Sequence, residues 1–133
     1  MFDAVLHVSG GAYDVPALLE RYDLNHHADL FLQGEPDLFG NPNVESGFDL
    51  LIAEGILGAD SVNEIRLFLE HKAPLLDALF NAGAQCVLDI ACAVSNDDQP
   101  APTMALPVDV LGLCFSRHVA IEFSVYPATA DEF

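Results

Sequence analysis

Apolar residues recur along this chain with two different periods, and the order in which those periods alternate restricts the fold to one class. Phe2, Ala4, Leu6 and Val8 alternate with Asp3, Val5, His7 and Ser9, the two-residue period of a strand with one buried side. Gly10-Gly11 ends that run. Asp14 then stands as the N-cap of a short helix on which Val15, Leu18, Leu19 and Tyr22 share a face. Asp23–Ala28 reads as a polar turn and Asp29–Gln33 as a short apolar strand. Glu35–Gly47, with two prolines and two glycines, reads as loop. Phe48–Glu54 resumes the strand period, with Phe48, Leu50 and Ile52 on one side and Asp49, Leu51 and Ala53 on the other.

Asp60–Ala82 switches to the helical period: Ile65, Leu69, Ala73, Leu76 and Phe80 all fall within about 60° of Val62 at roughly 100° per residue. Pro74 has no N–H to bond back one turn, so it must kink or split this helix. Gln85–Val94 returns to strand, with Cys86, Leu88, Ile90, Cys92 and Val94 inward and Gln85, Val87 and Asp89 outward. Ser95–Thr103 is a second loop. Pro107–Ser116 reads as a short helix, apolar nearly all round and therefore expected to be heavily buried. Val119, Ile121, Phe123 and Val125 define the last strand.

The order is βαββαβαβ. Its first six elements match a ferredoxin-like α+β unit, which the last helix and strand extend, giving one domain over residues 1–133. Helices would cover one sheet face, with Leu69, Leu76, Ile90 and Phe123 at the centre of the core. The other face would keep Asp49, Asp89, Glu122 and His7.

Several landmarks stand out: the opening strand Val5–Ser9 with the Asp14-led helix, the turn Gln33-Gly34-Glu35-Pro36, and Ser46-Gly47-Phe48-Asp49-Leu50. The helix end Phe80-Asn81-Ala82-Gly83, the strand Cys86–Val94 and the closing Val119–Tyr126 complete the set. Together they resemble the bacterial family called domain of unknown function 4279. Members usually carry Trp where strand three begins, and this chain has Phe48 there. The resemblance implies a small standalone bacterial protein of the kind encoded near toxin or phage-defence genes, and it brings no catalytic residues with it.

Charge decides what such a domain meets. Asp and Glu number 21 against 4 Lys and Arg, a formal net of −17, in a chain that is 52% hydrophobic. A core-forming domain with so negative a surface repels naked nucleic acid and anionic lipid, and steers toward basic surfaces. No apolar stretch approaches the ~20 residues of a membrane span, and Met1-Phe2-Asp3-Ala4 lacks the basic start of a secretory signal. Cys86, Cys92 and Cys114 form no CxxC; they read as buried thiols in a reducing cytoplasm.

No constellation reads as catalytic, cofactor-binding or metal-binding. Asp23-x-x-His26-His27-x-Asp29 has ligand residue types, yet adjacent histidines diverge on a strand and no distant third ligand is evident. Ser9-Gly10-Gly11 lacks the framework of a phosphate loop, and Asp14 would repel phosphate. Asp97-Asp98 lacks the oxygen-ligand spacing of a calcium loop. Cys114 and His118 are separated by a helix-to-strand turn.

The expectation is a cytoplasmic binding protein, not an enzyme, whose acids occupy a basic site on a protein partner. The concrete form is an immunity protein against a cognate toxin. A nucleic-acid mimic that inhibits a DNA-binding defence complex obeys the same physics, and a small enzyme or ligand sensor on the open sheet face is the alternative of a different class. The contact residues expected are the outward strand acids Asp49, Asp89 and Glu122, the loop acids Asp37, Asp97 and Asp98, and the apolar anchors Leu38 and Phe39.

Overall fold

The N-terminal alternation builds the central strand of the sheet. In the computed structural model, which describes residues 2–55, 59–94 and 105–127, β1 (Phe2–Ser9) buries Phe2, Ala4, Leu6 and Val8 beneath the helices. On its flanks lie β3 (Gly47–Gly55) and β4 (Gln85–Val94), both antiparallel to it. Beyond β3 comes the four-residue β2 (Ala28–Phe31), and beyond β4 comes β5 (Val119–Pro127), so the order is β2-β3-β1-β4-β5. Only β4 and β5 run parallel, and α4 (Val108–Ser116) lies in the connection between them. Among the described residues the architecture is α+β, with a mixed five-stranded sheet and four helices.

The helices follow from local chemistry. α1 (Val15–Arg21) opens on Asp14, whose carboxylate accepts the Ala17 amide at 3.1 Å, a cap of the kind worth about 1 kcal/mol. Pro74 splits the long helical segment into α2 (Ala59–His71) and α3 (Ala73–Asn81), and it sits in the first turn of α3, where a missing N–H is harmless. The break changes which residues point inward. Ile65, Leu69 and Leu76 are buried as their period predicts, but α3 also buries Leu75 and Leu79, whereas Phe80 turns outward and stacks on His118 with ring centroids 3.6 Å apart.

Three other expectations give way to tertiary context. A bulge in β3 sets Ala4 opposite Ala53 and Val5 opposite Leu51, leaving Ile52 as the extra residue. The alternation inverts there, so Ala53 is buried instead of outward. α4 is not heavily buried: Val110 and Cys114 face the core, while Val108, Leu111 and Phe115 lie exposed; among the described residues its main packing is against α2 and β5. Phe123 is not at the core centre. It shares a side with buried Ile90, but β5 is the edge strand and helix cover fades along it, so Val119 is buried and Phe123 is 58% exposed.

Leu69, Leu76 and Ile90 join one cluster that draws residues from all four helices and from β1, β3, β4 and β5. Cys86 and Cys114 are buried and Cys92 half-buried, all three as free thiols. Burial pushes the Cys86 thiol up to about 11, and burial beside Cys86 pushes Tyr13 up to about 12. No helix is long and apolar enough to cross a membrane among the described residues.

At Gly47 the absence of a side chain is required. A Cβ there would run into the Val8 carbonyl and come within 2.6 Å of the Phe31 ring. That close approach lets Phe31 lie across β3 toward His7, which matters for the open face.

Candidate functional site

Strand alternation sends one set of side chains away from the helices, and half of the residues in that set are acidic. β1 contributes Asp3, Val5 and His7; β3 contributes Asp49, Leu51 and, after the bulge, Glu54; β4 contributes Val87 and Asp89; β5 contributes Glu122 and Ser124. β2 adds Asp29 and Phe31. The register then opposes like charges: Asp29 faces Asp49, Asp3 faces Glu54, and Asp89 faces Glu122 across neighbouring strands. Directly opposed like charges destabilise a sheet. The effect is visible at Asp3, whose carboxyl is raised above its ordinary value first by burial, then by Asp89 and Glu54.

Cations are segregated to the other layer. Arg21 closes α1, Arg66 lies in α2, Lys72 stands between α2 and α3, and Arg117 caps α4. Arg66 pairs with Asp109 at 2.8 Å, holding that carboxyl below its ordinary value, and Arg117 pairs with Asp77 at 3.3 Å. Arg21 rests over the Tyr22 ring. The basic residues therefore brace the helices, and no Lys or Arg stands on any of the described strands.

Among the described residues, two polar contacts relieve the open face. His7 and Asp49, directly opposite each other, are hydrogen-bonded through Nδ1, and Ser124 donates to Asp89 at 3.0 Å. The His7 ring also stacks on Phe31, with centroids 5.9 Å apart and planes 17° off parallel.

Two depressions mark this surface. A shallow one of about 310 Å³ lies over β1, β4 and β5, bounded by Asp49, Asp89 and Glu122 with Val5 and Val87 between them. A larger hollow of about 770 Å³ lies between the β2–β3 edge and the loop of residues 32–46. His7 and Asp49 line both, so the two are neighbours.

The expected strand acids Asp49, Asp89 and Glu122 are thus brought together around one depression, and Asp37 and Leu38 line its neighbour. Phe39 is exposed at the loop tip and lines neither depression. Asp37 is less available than expected for a partner: its carboxylate accepts the Phe39 amide at 2.8 Å and the Asn41 amide at 3.0 Å, closing the turn. Asp97 and Asp98 lie outside the described residues. Sequence reasoning missed Asp29, Glu35, Glu45 and Phe31 in the hollow, and the opposed pair Asp3 and Glu54. The parity of Asp29 with Phe31 was the available signal. Among the described residues, no three His, Cys, Asp or Glu side chains converge as metal ligands do.

Comparison of the chain with protein-family models, curated proteins and solved structures yields no match.

Proposed function

We propose that this chain is a binding protein whose open sheet face engages the basic surface of a protein partner, and that it acts in the cytoplasm as an immunity protein neutralising a cognate toxin. The observation that carries the reading is the set of three opposed acid pairs on a face without Lys or Arg. A fold gains nothing by itself from lining up carboxylates in register. A cationic surface laid over them would turn each repulsive pair into two charge-assisted contacts and would accelerate encounter. On this reading the order β2-β3-β1-β4 is a ferredoxin-like unit extended by α4 and β5, and the resemblance to domain of unknown function 4279 stands beside it as part of the same proposal.

The test is affinity capture from the native host with the parent chain and with a variant reversing Asp49, Asp89 and Glu122 to Lys. The captured protein should be basic at its contact surface, be lost by the reversed variant, and associate more slowly as salt rises from about 0.05 to 0.5 M. Expressed alone it should harm the host, and co-expression with this chain should rescue growth. A neutral or acidic contact surface, or an affinity indifferent to salt and to the reversals, sinks the reading.

A further inference from the structure

The larger hollow narrows what the partner presents. Its lining is partly aromatic: His7 is hydrogen-bonded to Asp49 and stacked on Phe31, so the two rings form an ordered aromatic patch. Its walls include Leu38, which is fully exposed, and Val44, which is 86% exposed. Asp29, Glu35 and Glu45 stand around it. Apolar side chains left open to water inside an acidic rim fit a group that is cationic at its head, flat, and apolar along its stem.

We propose that this hollow receives an arginine side chain of the protein partner, its guanidinium stacked on the Phe31–His7 surface and paired with the rim carboxylates. The inference rests on the binding reading above and specifies its chemistry. Arginine fits better than lysine, because a planar guanidinium stacks on rings and bonds carboxylates in forked pairs, whereas an ammonium is a compact, strongly hydrated point. The volume of about 770 Å³ holds more than one side chain, so flanking apolar residues of the same segment have room against Leu38 and Val44. The chain cannot fill the hollow with a cation of its own. All four of its Lys and Arg are in the helical layer, and residues 56–58, 95–104 and 128–133 include neither type. A second copy would bring −17 against −17.

The experiment is NMR titration of the full-length chain with an acetylated, amidated decapeptide alternating Arg and Leu, beside its Lys and citrulline counterparts. The Arg peptide should shift the amides of Phe31, Leu38, Val44 and Asp49. It should bind roughly five-fold or more tightly than the Lys peptide, a ratio typical of one stacked cation, and the citrulline peptide should not bind. Phe31→Leu should bring the Arg-to-Lys ratio near one. Asp29→Asn with Glu45→Gln, which leaves the rings untouched, should weaken both cationic peptides, the Arg peptide at least as much as the Lys peptide. Equal binding of Arg and Lys peptides by the parent chain overturns the inference. So do shifts confined to β4 and β5, although the acidic-face reading then survives. Silence at both depressions overturns the two together.

Discussion

Neutralising one member of each opposed acid pair should stabilise the fold with no partner present. The triple variant Asp29→Asn, Glu54→Gln, Asp89→Asn keeps every side chain's shape, and the new amide at position 89 still offers Ser124 an acceptor. Two carboxylates on directly opposed strand positions lie about 6 Å apart, where unit charges repel by about 0.7 kcal/mol in water and about 2.8 kcal/mol at a partly shielded surface. In each pair one carboxylate is half-buried (Asp3, Asp49, Asp89) and the other exposed (Glu54, Asp29, Glu122) and able to turn into water, so the realised penalty belongs near the lower figure, about 0.5 kcal/mol for each pair. Three pairs give a gain of about 1–2 kcal/mol, which for a chain of this size raises the melting temperature by roughly 4–8 °C. Calorimetry in about 0.05 M and about 1 M NaCl should show the gain shrinking severalfold at the higher salt, because the screening length falls to about 3 Å. A triple variant melting at or below the parent, or gaining equally in both salts, would refute the claim that this face is electrostatically frustrated.

Truncation should separate core from edge. Leu69→Ala, Leu76→Ala and Ile90→Ala, all at fully or nearly fully buried sites, should each cost about 2–5 kcal/mol in urea denaturation, and Phe123→Ala below about 1.5 kcal/mol. Gly47→Ala should cost about 1–3 kcal/mol by the same measurement and broaden the Phe31 ring resonances, since the new methyl collides with the ring. Asp3→Asn should be more stable than the parent by a margin that grows with pH. The native state holds the Asp3 proton more tightly than the unfolded chain, so parent stability drains away as pH climbs from the ordinary value of 3.8 through the raised native one and is level above it. Denaturation profiles from about pH 3 to 7 check this; a margin constant across that range contradicts the raised value.

What could be read from the residues was whatever depends on neighbours along the chain. The parity of β1, that of β4 from Cys86 to Ile90, the Asp14 cap and the break at Pro74 are local, and each is where its pattern puts it. The bulge in β3 is not local. Phe48–Glu54 is compatible with unbroken alternation, and only pairing with β1 makes Ile52 surplus. Nor does an apolar helix state what it will pack against: among the described residues, Phe115 on α4 and Phe123 on β5 are left exposed. At the site, Asp49, Asp89 and Glu122 were legible as outward residues. That they stand beside or opposite other acids required the register, and the hollow required the path of residues 32–46, which no periodicity describes.

The position of β1 also determines when this chain can fold. Of the five described strands, the first along the chain is the central one, and Leu6 finds its two cross-strand neighbours only in Leu50 and Leu88. On the ribosome, β1 emerges as an apolar strand with both edges open, and it stays so until β3 and then β4 arrive. Pairings this distant in sequence close more slowly than the local contacts of a helix. During that interval Asp3 and His7 interrupt the apolar run of the waiting strand. The carboxylate of Asp3, raised by burial and by its neighbours in the finished sheet, is in the waiting strand a charge that disfavours pairing with another copy.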